Sequence, residues 1–281
     1  MALETIDLTP RIGTQIMATK EQLLNGEHAE EIRRLLVQRG VVLIRGIDIT
    51  DDEEIAFSGT LGKIRIDYDD NPMLKVTMDD EHTKYGDYFR STQFWHIDGT
   101  HEDVLPFASI LVPRVLAPAG TGQTEFGNTY AAYEDLSDAD KARCEGIRLV
   151  HTKLAGMRAI YDNPTDEQLR HYYAFPVKSH PLVWQHRSGR KSLIVSLSAE
   201  YVEGMEREDS DAFMTWLRAW VEQPQYCYSH EWRMGDLLIW DNTGTMHRAR
   251  PFDKASGRRL HRVTLEGVES VQPVTTERVA A

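Results

Sequence analysis

The stretch Gln93-Phe94-Trp95-His96-Ile97-Asp98 is the starting point for interpreting this chain. In an extended strand, side chains two positions apart point to the same face, so His96 and Asp98 would reach into one space while Ile97 turns away. An imidazole and a carboxylate side by side supply two ligands for a divalent first-row metal. The spacing alone has low specificity, because unrelated surface residues often share it. A third ligand must therefore come from elsewhere in the chain.

The size and charge of the chain limit what it can bind. It has 281 residues, of which 44 are acidic and 32 basic, and a formal net charge of −12. This charge repels phosphate backbones, so we expect no nucleic-acid partner, and an anionic substrate would need a local basic pocket. The spacing of Cys144 and Cys227 indicates reduced thiols rather than a disulfide framework. Without a signal-peptide layout or a membrane-length apolar run, we expect a cytoplasmic protein with no membrane partner.

The pattern along the chain is typical of short strands with helices packed outside them. Apolar residues recur at helical spacing from Glu27 to Arg39, where Gly40 ends the helix, and 41–44 reads as a strand buried on both faces. Further strands are predicted at 107–112, 124–126, 192–197, 235–241 and 260–265, and further helices at 165–173 and 208–222. We therefore predict a mainly β fold with flanking helices, either a sandwich or a barrel. It would form a single domain over residues 1–281, with 270–281 as a tail.

Residues 67–92 differ from the rest of the chain because they are acidic, rich in tyrosine and weakly periodic. A long irregular segment in a compact domain is often functional, and this one directly precedes the His96 stretch. We expect it to form an active-site lid, with Tyr68 and Tyr85 as candidate substrate-binding residues. An ordinary surface excursion with a short hairpin is the alternative interpretation.

A third metal ligand is available at His247. Residues 235–242 predict a strand running into a turn, and His247 lies on the segment that follows. His101 competes for the role, although its odd spacing from Asp98 would turn its side chain away. Two histidines and one carboxylate on one face of an octahedron is the ligand set of non-haem Fe(II) oxygenases, which leaves positions open for chemistry. A purely structural role for His247 stays open at this point.

Two arginines near the end of the chain could bind an anion. Arg258 and Arg262 share parity, so a strand here would point both guanidiniums to one face. Arginine is well suited to binding a carboxylate through two hydrogen bonds inside a pocket. The alternative is a pair of exposed arginines that balance an acidic surface.

Taken together, these residues and their order make the chain resemble the taurine dioxygenase and 2,4-dichlorophenoxyacetate dioxygenase family of Fe(II)/2-oxoglutarate oxygenases. The resemblance runs from Ile12 to Leu265, and the herbicide-cleaving branch is the more similar one. It rests on separate motifs in the family's order: Trp95-His96-x-Asp98, Gly122-Gln123-Thr124-Glu125-Phe126, Gly235-Asp236-Leu237-x-x-Trp240-Asp241-Asn242, His247-Arg248 and the final arginines. The resemblance implies a double-stranded β-helix, which is a jelly-roll core with flanking helices.

The resemblance also implies roles for individual residues. His96, Asp98 and His247 match the residues that bind iron, which are also counted as catalytic. Arg258 matches the arginine that binds the distal carboxylate of 2-oxoglutarate, and Thr124 matches its hydroxyl partner. Arg262 matches the arginine that binds the anionic group of the substrate, although the roles of the two arginines could be exchanged.

The implied activity is hydroxylation of a small anionic organic substrate with Fe(II), 2-oxoglutarate and O₂, releasing succinate and CO₂. An aromatic or aryloxy carboxylate is the first expectation and an alkylsulfonate the second. The presence of Asp98 favours hydroxylation, because relatives that halogenate lack this carboxylate. A different class is a metal-binding jelly roll without turnover, such as a sensor, which would need neither Arg258 nor Thr124. The sequence leaves open whether copies of the chain assemble into a homo-oligomer.

Overall fold

The computed structural model describes residues 3–66, 70–79, 81–83 and 86–274, with the backbone alone at 86–88. Within these ranges, seven strands form the main sheet. In spatial order they are β1 (Glu4–Asp7), β2 (Thr14–Met17), β3 (Val41–Ile44), β13 (Leu237–Asp241), β5 (Ala108–Val115), β15 (Arg259–Thr264) and β4 (Met73–Val76). Neighbouring strands are antiparallel except β2 and β3, which run parallel. The centre of the sheet thus joins strands that are far apart in sequence.

The remaining described strands form smaller sheets. One has the order β12 (Cys227–His230), β6 (Thr124–Asn128) and β14 (Thr245–Ala249), and a second has the order β11 (Ala199–Val202), β7 (Arg148–His151) and β8 (Lys178–Pro181). A hairpin joins β9 (Val183–Gln185) to β10 (Lys191–Leu193). The fold is mainly β with flanking helices, as predicted, and several of the shorter strands were not predicted.

A buried apolar cluster joins the main sheet to the β12-β6-β14 sheet. Phe126 of β6 packs in one cluster with Leu111, Leu238 and Trp240 of the main sheet. Leu111 and Leu238 lie opposite each other in the pairing of β5 with β13, so their side chains share a face of the sheet. Arg262 also lies opposite Leu111 in the pairing of β15 with β5. This inter-sheet space is therefore the compartment into which Arg262 points.

The helices cover the outer surfaces. Helix α2 (Ala29–Arg39) and helix α3 (Asp51–Leu61) pack on the outer face of the main sheet, through a cluster that includes Ile32, Leu36, Phe57, Val42 and Ile239. The other helices are α1 (Lys20–Leu24), α4 (Gly86–Ser91), α5 (Thr129–Glu134), α6 (Asp138–Cys144), α7 (Lys153–Ile160), α8 (Asp166–Tyr173) and α9 (Arg207–Val221). Among the described residues, no helix is both long and apolar enough to cross a membrane.

Local sequence signals account for several helix ends. Gly40 ends α2 with a φ of 74°, a conformation that glycine adopts without steric cost. A capping box begins α3, because the Thr50 hydroxyl accepts from the Glu53 backbone and the Glu53 carboxylate accepts from the Thr50 backbone. Cys144 is buried, Cys227 is half-buried, and both are free thiols. The predicted end of α2 at Gly40 and the predicted free thiols are confirmed.

Two predicted segments differ from expectation. The 93–98 stretch is not a regular strand, since only one isolated bridge pairs His96 with His247. The 67–92 segment contains β4, which extends the main sheet, and α4, so its described part is more regular than predicted. Tyr68 and Tyr85 lie outside the described residues, and the lid stays a prediction.

Candidate metal centre and active-site cavity

His96, Asp98 and His247 converge although they lie on two separate segments. The backbones of His96 and His247 hydrogen-bond to each other in both directions, at N–O distances of 3.0 and 2.8 Å. The His96 Nε2 lies 3.8 Å from Asp98 Oδ1, and the His247 Nε2 lies 3.7 Å from Asp98 Oδ2. These distances exceed those of hydrogen bonds, so the three side chains leave a gap between their ligating atoms. The structure thus brings the three candidate ligands together, and their role in binding a metal stays a prediction.

The protonation states of the three side chains suit a cation. Burial lowers the pKa of both imidazoles, which keeps them neutral with a lone pair to donate. Burial alone would raise the pKa of Asp98, but Arg262 and the two imidazoles lower it well below its usual range. A neutral–neutral–anionic set of two nitrogens and one oxygen is a fitting ligand set for a divalent iron ion.

Hydrogen bonds around the three side chains fix their orientation. The His96 Nδ1 donates to the Phe94 carbonyl at 2.8 Å, which leaves Nε2 free to face Asp98. The Asn242 side chain accepts from the Asp98 backbone N–H at 2.9 Å and donates to the Asp98 carbonyl at 3.1 Å. The His247 Nδ1 is buried and has no hydrogen-bond partner among the described residues. The sequence motif contained Asn242, but its clamp on Asp98 required the structure.

A cavity of about 320 Å³ opens beside His96 and Asp98. Arg262 lines this cavity, and its guanidinium donates to Asp98 Oδ2 at 3.0 Å. Helix α7 supplies one wall through residues at helical spacing, which are Lys153, Gly156, Met157 and Ile160. The wall continues with Tyr172 of α8 and with Phe175, which follows that helix. The cavity thus combines charged groups near the proposed ligands with an apolar and aromatic wall.

Arg258 lies apart from this cavity. It lines a separate cavity of about 170 Å³ together with Gly122, Trp232 and Leu260. The side chain is 3% exposed, its Nε donates to the Gly122 carbonyl at 3.1 Å, and its guanidinium stacks over Phe252 at 4.6 Å. Burial lowers the pKa of Arg258 to about 10, which still leaves it charged at neutral pH. Arg258 directly precedes β15, and the pairing with β5 shifts register between Arg259 and Leu260, where β5 has one extra residue.

The position of Gly122, beside the Arg258 side chain, has no room for a larger residue. Its φ is 67°, and a Cβ there would lie 2.7 Å from the Ala117 Cβ and 3.0 Å from the Arg258 side chain. A substitution at Gly122 would therefore displace Arg258.

Thr124 faces the same side of its sheet as His247. In the pairing of β6 with β14, His247 lies opposite Phe126, and Thr124 is two residues before Phe126. The Thr124 hydroxyl accepts a hydrogen bond from the Trp232 indole at 2.9 Å. Because Trp232 also lines the Arg258 cavity, Thr124 and Arg258 belong to one cluster connected through that indole.

His101 was the competing candidate for the third metal ligand. His101 is not in the three-residue cluster, and its Nε2 lies 3.5 Å from Glu102 Oε1. Lys153 also lines the main cavity, and the sequence gave it no role, because an isolated lysine in a segment with no predicted helix or strand carries no signal of a site.

Comparison with known proteins shows the family to which the chain belongs. The family described as "Taurine catabolism dioxygenase TauD, TfdA family" matches residues 4–264. The chain is 30% identical over 264 residues to the "Alpha-ketoglutarate-dependent 2,4-dichlorophenoxyacetate dioxygenase" of Burkholderia sp. (strain RASC), covering 87% of both chains. It is 29% identical over 280 residues to the "Alpha-ketoglutarate-dependent sulfate ester dioxygenase" of Pseudomonas putida, covering 95% of this chain and 90% of that one.

Solved structures give the same result. AAD-2, in a complex with Mn(II) and N-oxalylglycine, aligns with a TM-score of 0.82 and 26% identity over 96% of this chain and 100% of that one. A taurine dioxygenase from Burkholderia xenovorans aligns with a TM-score of 0.77 and 27% identity over 97% of this chain and 94% of that one. The chain therefore belongs to the TauD/TfdA family and is a 2-oxoglutarate-dependent dioxygenase that uses Fe(II) and O₂.

Proposed function

We propose that this enzyme hydroxylates a small anionic organic compound, with an aromatic or aryloxy carboxylate as the favoured substrate. His96, Asp98 and His247 would hold the iron. The observation that carries the proposal is the cavity beside His96 and Asp98, which contains Arg262 at one end and the apolar face of α7 along one wall. Arginine binds carboxylates, and an aromatic body suits an apolar wall.

The 2-oxoglutarate would be held by Arg258 and Thr124, while Arg262 would bind the anionic group of the substrate. This division is supported by the two cavities, because Arg262 lines the one beside Asp98 and Arg258 lines the one beside Trp232. The buried charge of Arg258 needs an anionic partner, and a dicarboxylate supplies one. We further propose that the facing sheets form a jelly-roll core within a single domain.

The metal and 2-oxoglutarate would supply the oxidation chemistry, and the protein would orient the metal ligands and the substrate. When bound, iron(II) with 2-oxoglutarate and O₂ supplies the oxidising power that hydroxylates a C–H bond and yields succinate and CO₂. Asn242 and the Phe94 carbonyl fix the directions of Asp98 and His96, so their ligating atoms are preorganised. The walls of the cavity hold the substrate next to these atoms and limit the access of water.

An alkylsulfonate or alkyl sulfate is the second candidate substrate class. The sulfate ester dioxygenase of Pseudomonas putida aligns with 95% of this chain, and a guanidinium binds either anion. A metal-binding sensor without turnover is the non-enzymatic alternative to this assignment, although the buried Arg258–Thr124 cluster has no purpose in it.

The test begins under anaerobic conditions. Adding Fe(II) and 2-oxoglutarate to purified protein should produce the weak visible charge-transfer band, and O₂ should then give succinate with a panel of aryloxyacetates, arylcarboxylates, sulfonates and sulfate esters. Product identification gives the oxidised carbon. Folded, iron-loaded protein that lacks the band would contradict the proposed binding of 2-oxoglutarate at this site.

A further inference from the structure

Among the described residues, the main cavity is lined by three cationic side chains, Arg65, Lys153 and Arg262. Arg65 donates two hydrogen bonds to the Glu102 carboxylate at 2.7 and 2.8 Å, and Arg262 donates to Asp98. Lys153 comes from α7, on a different element from either arginine. The cavity therefore has positive charge on its helical wall as well as at its metal-binding end.

The start of α7 holds Lys153 in position. The Thr152 hydroxyl accepts from the Ala155 backbone N–H at 3.0 Å and donates to the Glu200 carboxylate at 2.7 Å, so the first turn is anchored at both groups. Lys153 shares its helix face with Met157 and Ile160, because these residues are four and seven positions further on. Lys153 therefore lies at the N-terminal end of an apolar stripe on α7.

The surroundings of Lys153 connect it to the metal-binding end. Burial lowers the pKa of Lys153, and the nearby carboxylates of Asp98 and Glu102 raise it in part. Arg262 donates a hydrogen bond to the Asp98 carboxylate, and Lys153 contributes to lowering the pKa of the same carboxylate, so two cations from different elements act on it. The Lys153 Nζ also lies 5.8 Å from the centre of the Phe175 ring, at the aromatic part of the wall.

A divalent ion bound to Asp98 would change this balance. Its charge would neutralise the Asp98 carboxylate, whose negative charge otherwise attracts both cations, and positive charges close together in a buried space repel one another. An anion between Lys153 and Arg262 would relieve that repulsion. An uncharged molecule of the same shape would not.

We propose that Lys153 is a specificity-determining residue that binds the anionic group of the organic substrate together with Arg262. The apolar stripe of α7 and the rings of Tyr172 and Phe175 take the body of that substrate. This inference rests on the proposed function, and it assigns the selection for an anion to a residue outside the iron and 2-oxoglutarate sites. It also identifies the substrate class as an anion with a flat or extended apolar body.

The test compares three variants with the unmodified enzyme. Lys153→Met removes the charge and keeps the length, Lys153→Arg keeps the charge, and Arg158→Met is the matched control. Arg158 also lies on α7, but it pairs with Glu200 and lines another cavity. The probes are phenoxyacetate and hexyl sulfate, with neutral phenoxyacetamide as the uncharged comparison. Binding is read as the change of the anaerobic Fe(II)·2-oxoglutarate band during titration, and turnover as succinate.

In the unmodified enzyme, at least one anionic probe should shift the band, and phenoxyacetamide should do so far more weakly. Lys153→Met should weaken binding of that anion by about tenfold to a hundredfold, as expected for a lost hydrogen bond between charged groups, and change the amide by less than about twofold. Lys153→Arg should recover most of the affinity. Arg158→Met should behave as the unmodified enzyme, and the band without substrate should be the same in all four proteins.

Three results would overturn the inference. One is unchanged anion affinity in Lys153→Met, another is an equal loss for the anions and the amide, and the third is an unmodified enzyme whose band responds to neither anion. Absence of the band itself in the unmodified enzyme is a different failure, because it removes the proposed function.

Discussion

Two pairs of histidines lie close to one cavity, and they differ in the groups around them; His96 is half-buried and the other three are buried. His96 and His247 have ring centres 4.1 Å apart with the Asp98 carboxylate facing both. His151 and His180 have ring centres 5.5 Å apart, and the His151 Nδ1 meets the Ser198 hydroxyl at 2.9 Å. Both pairs are kept neutral by burial. The carboxylate makes the difference, since it adds the negative charge that a divalent cation needs.

The second pair shows what buried imidazoles do without that charge. Burial lowers the pKa of His151 to about 3 and that of His180 to about 4, so both stay unprotonated at neutral pH. The Ser198 hydroxyl also meets the Thr100 hydroxyl at 2.7 Å, which connects His151 to the turn that follows Asp98. His151 is therefore linked to the segment that follows Asp98 without being part of the proposed ligand set. A histidine pair alone does not identify a metal site.

The largest expected effect comes from removing the Asp98 carboxylate, which the first histidine pair has and the second pair lacks. Asp98→Asn should abolish stoichiometric iron binding and succinate formation, a loss greater than the roughly 100-fold typical of an outer partner. Metal analysis after dialysis against Fe(II) measures the first and succinate release the second. His180→Asn is the matched control from the other pair and should keep its iron. Full iron content in Asp98→Asn would mean that the ion binds elsewhere.

A smaller effect should follow from the residue that orients the carboxylate. Asn242→Ala removes both hydrogen bonds to the Asp98 backbone and should lower iron affinity by about 10- to 100-fold. Competition with a calibrated chelator measures the affinity, and circular dichroism checks that the fold persists. Affinity equal to that of the unmodified protein would show that Asp98 needs no such clamp.

The smallest effect is on stability and concerns the second pair. Between pH 6.5 and about 4 the unfolded chain binds protons at His151 and His180, and the folded chain does not, so stability should fall as the pH falls. At pH 5 the loss due to His151 is about 2 kcal/mol. Urea unfolding of the metal-free protein at pH 7.5 and pH 5 measures it. His151→Asn should lose less stability over this range, and an identical pH dependence in that variant would contradict the assignment.

Much of the local structure was predictable from residues close together in sequence. Helix α2 and its end at Gly40, the capping box at Thr50 and the apolar strand at 41–44 are all set by spacing over a few residues. The segment carrying His96 was predicted as a strand and forms only an isolated bridge. Its two ligands still converge, because the backbone of His247 and the side chain of Asn242 hold them in place.

The sequence by itself determined the ligand types, the family and the mainly β character, because motifs and periodicity are properties of neighbouring residues. Only the tertiary structure decided that Arg258 and Arg262 line different cavities, since Arg258 lies just before β15 and Arg262 lies within it, and different segments pack around the two positions. It also decided that Lys153 shares a cavity with Asp98. Contacts between segments far apart along the chain depend on packing of the whole core, and no local pattern encodes them.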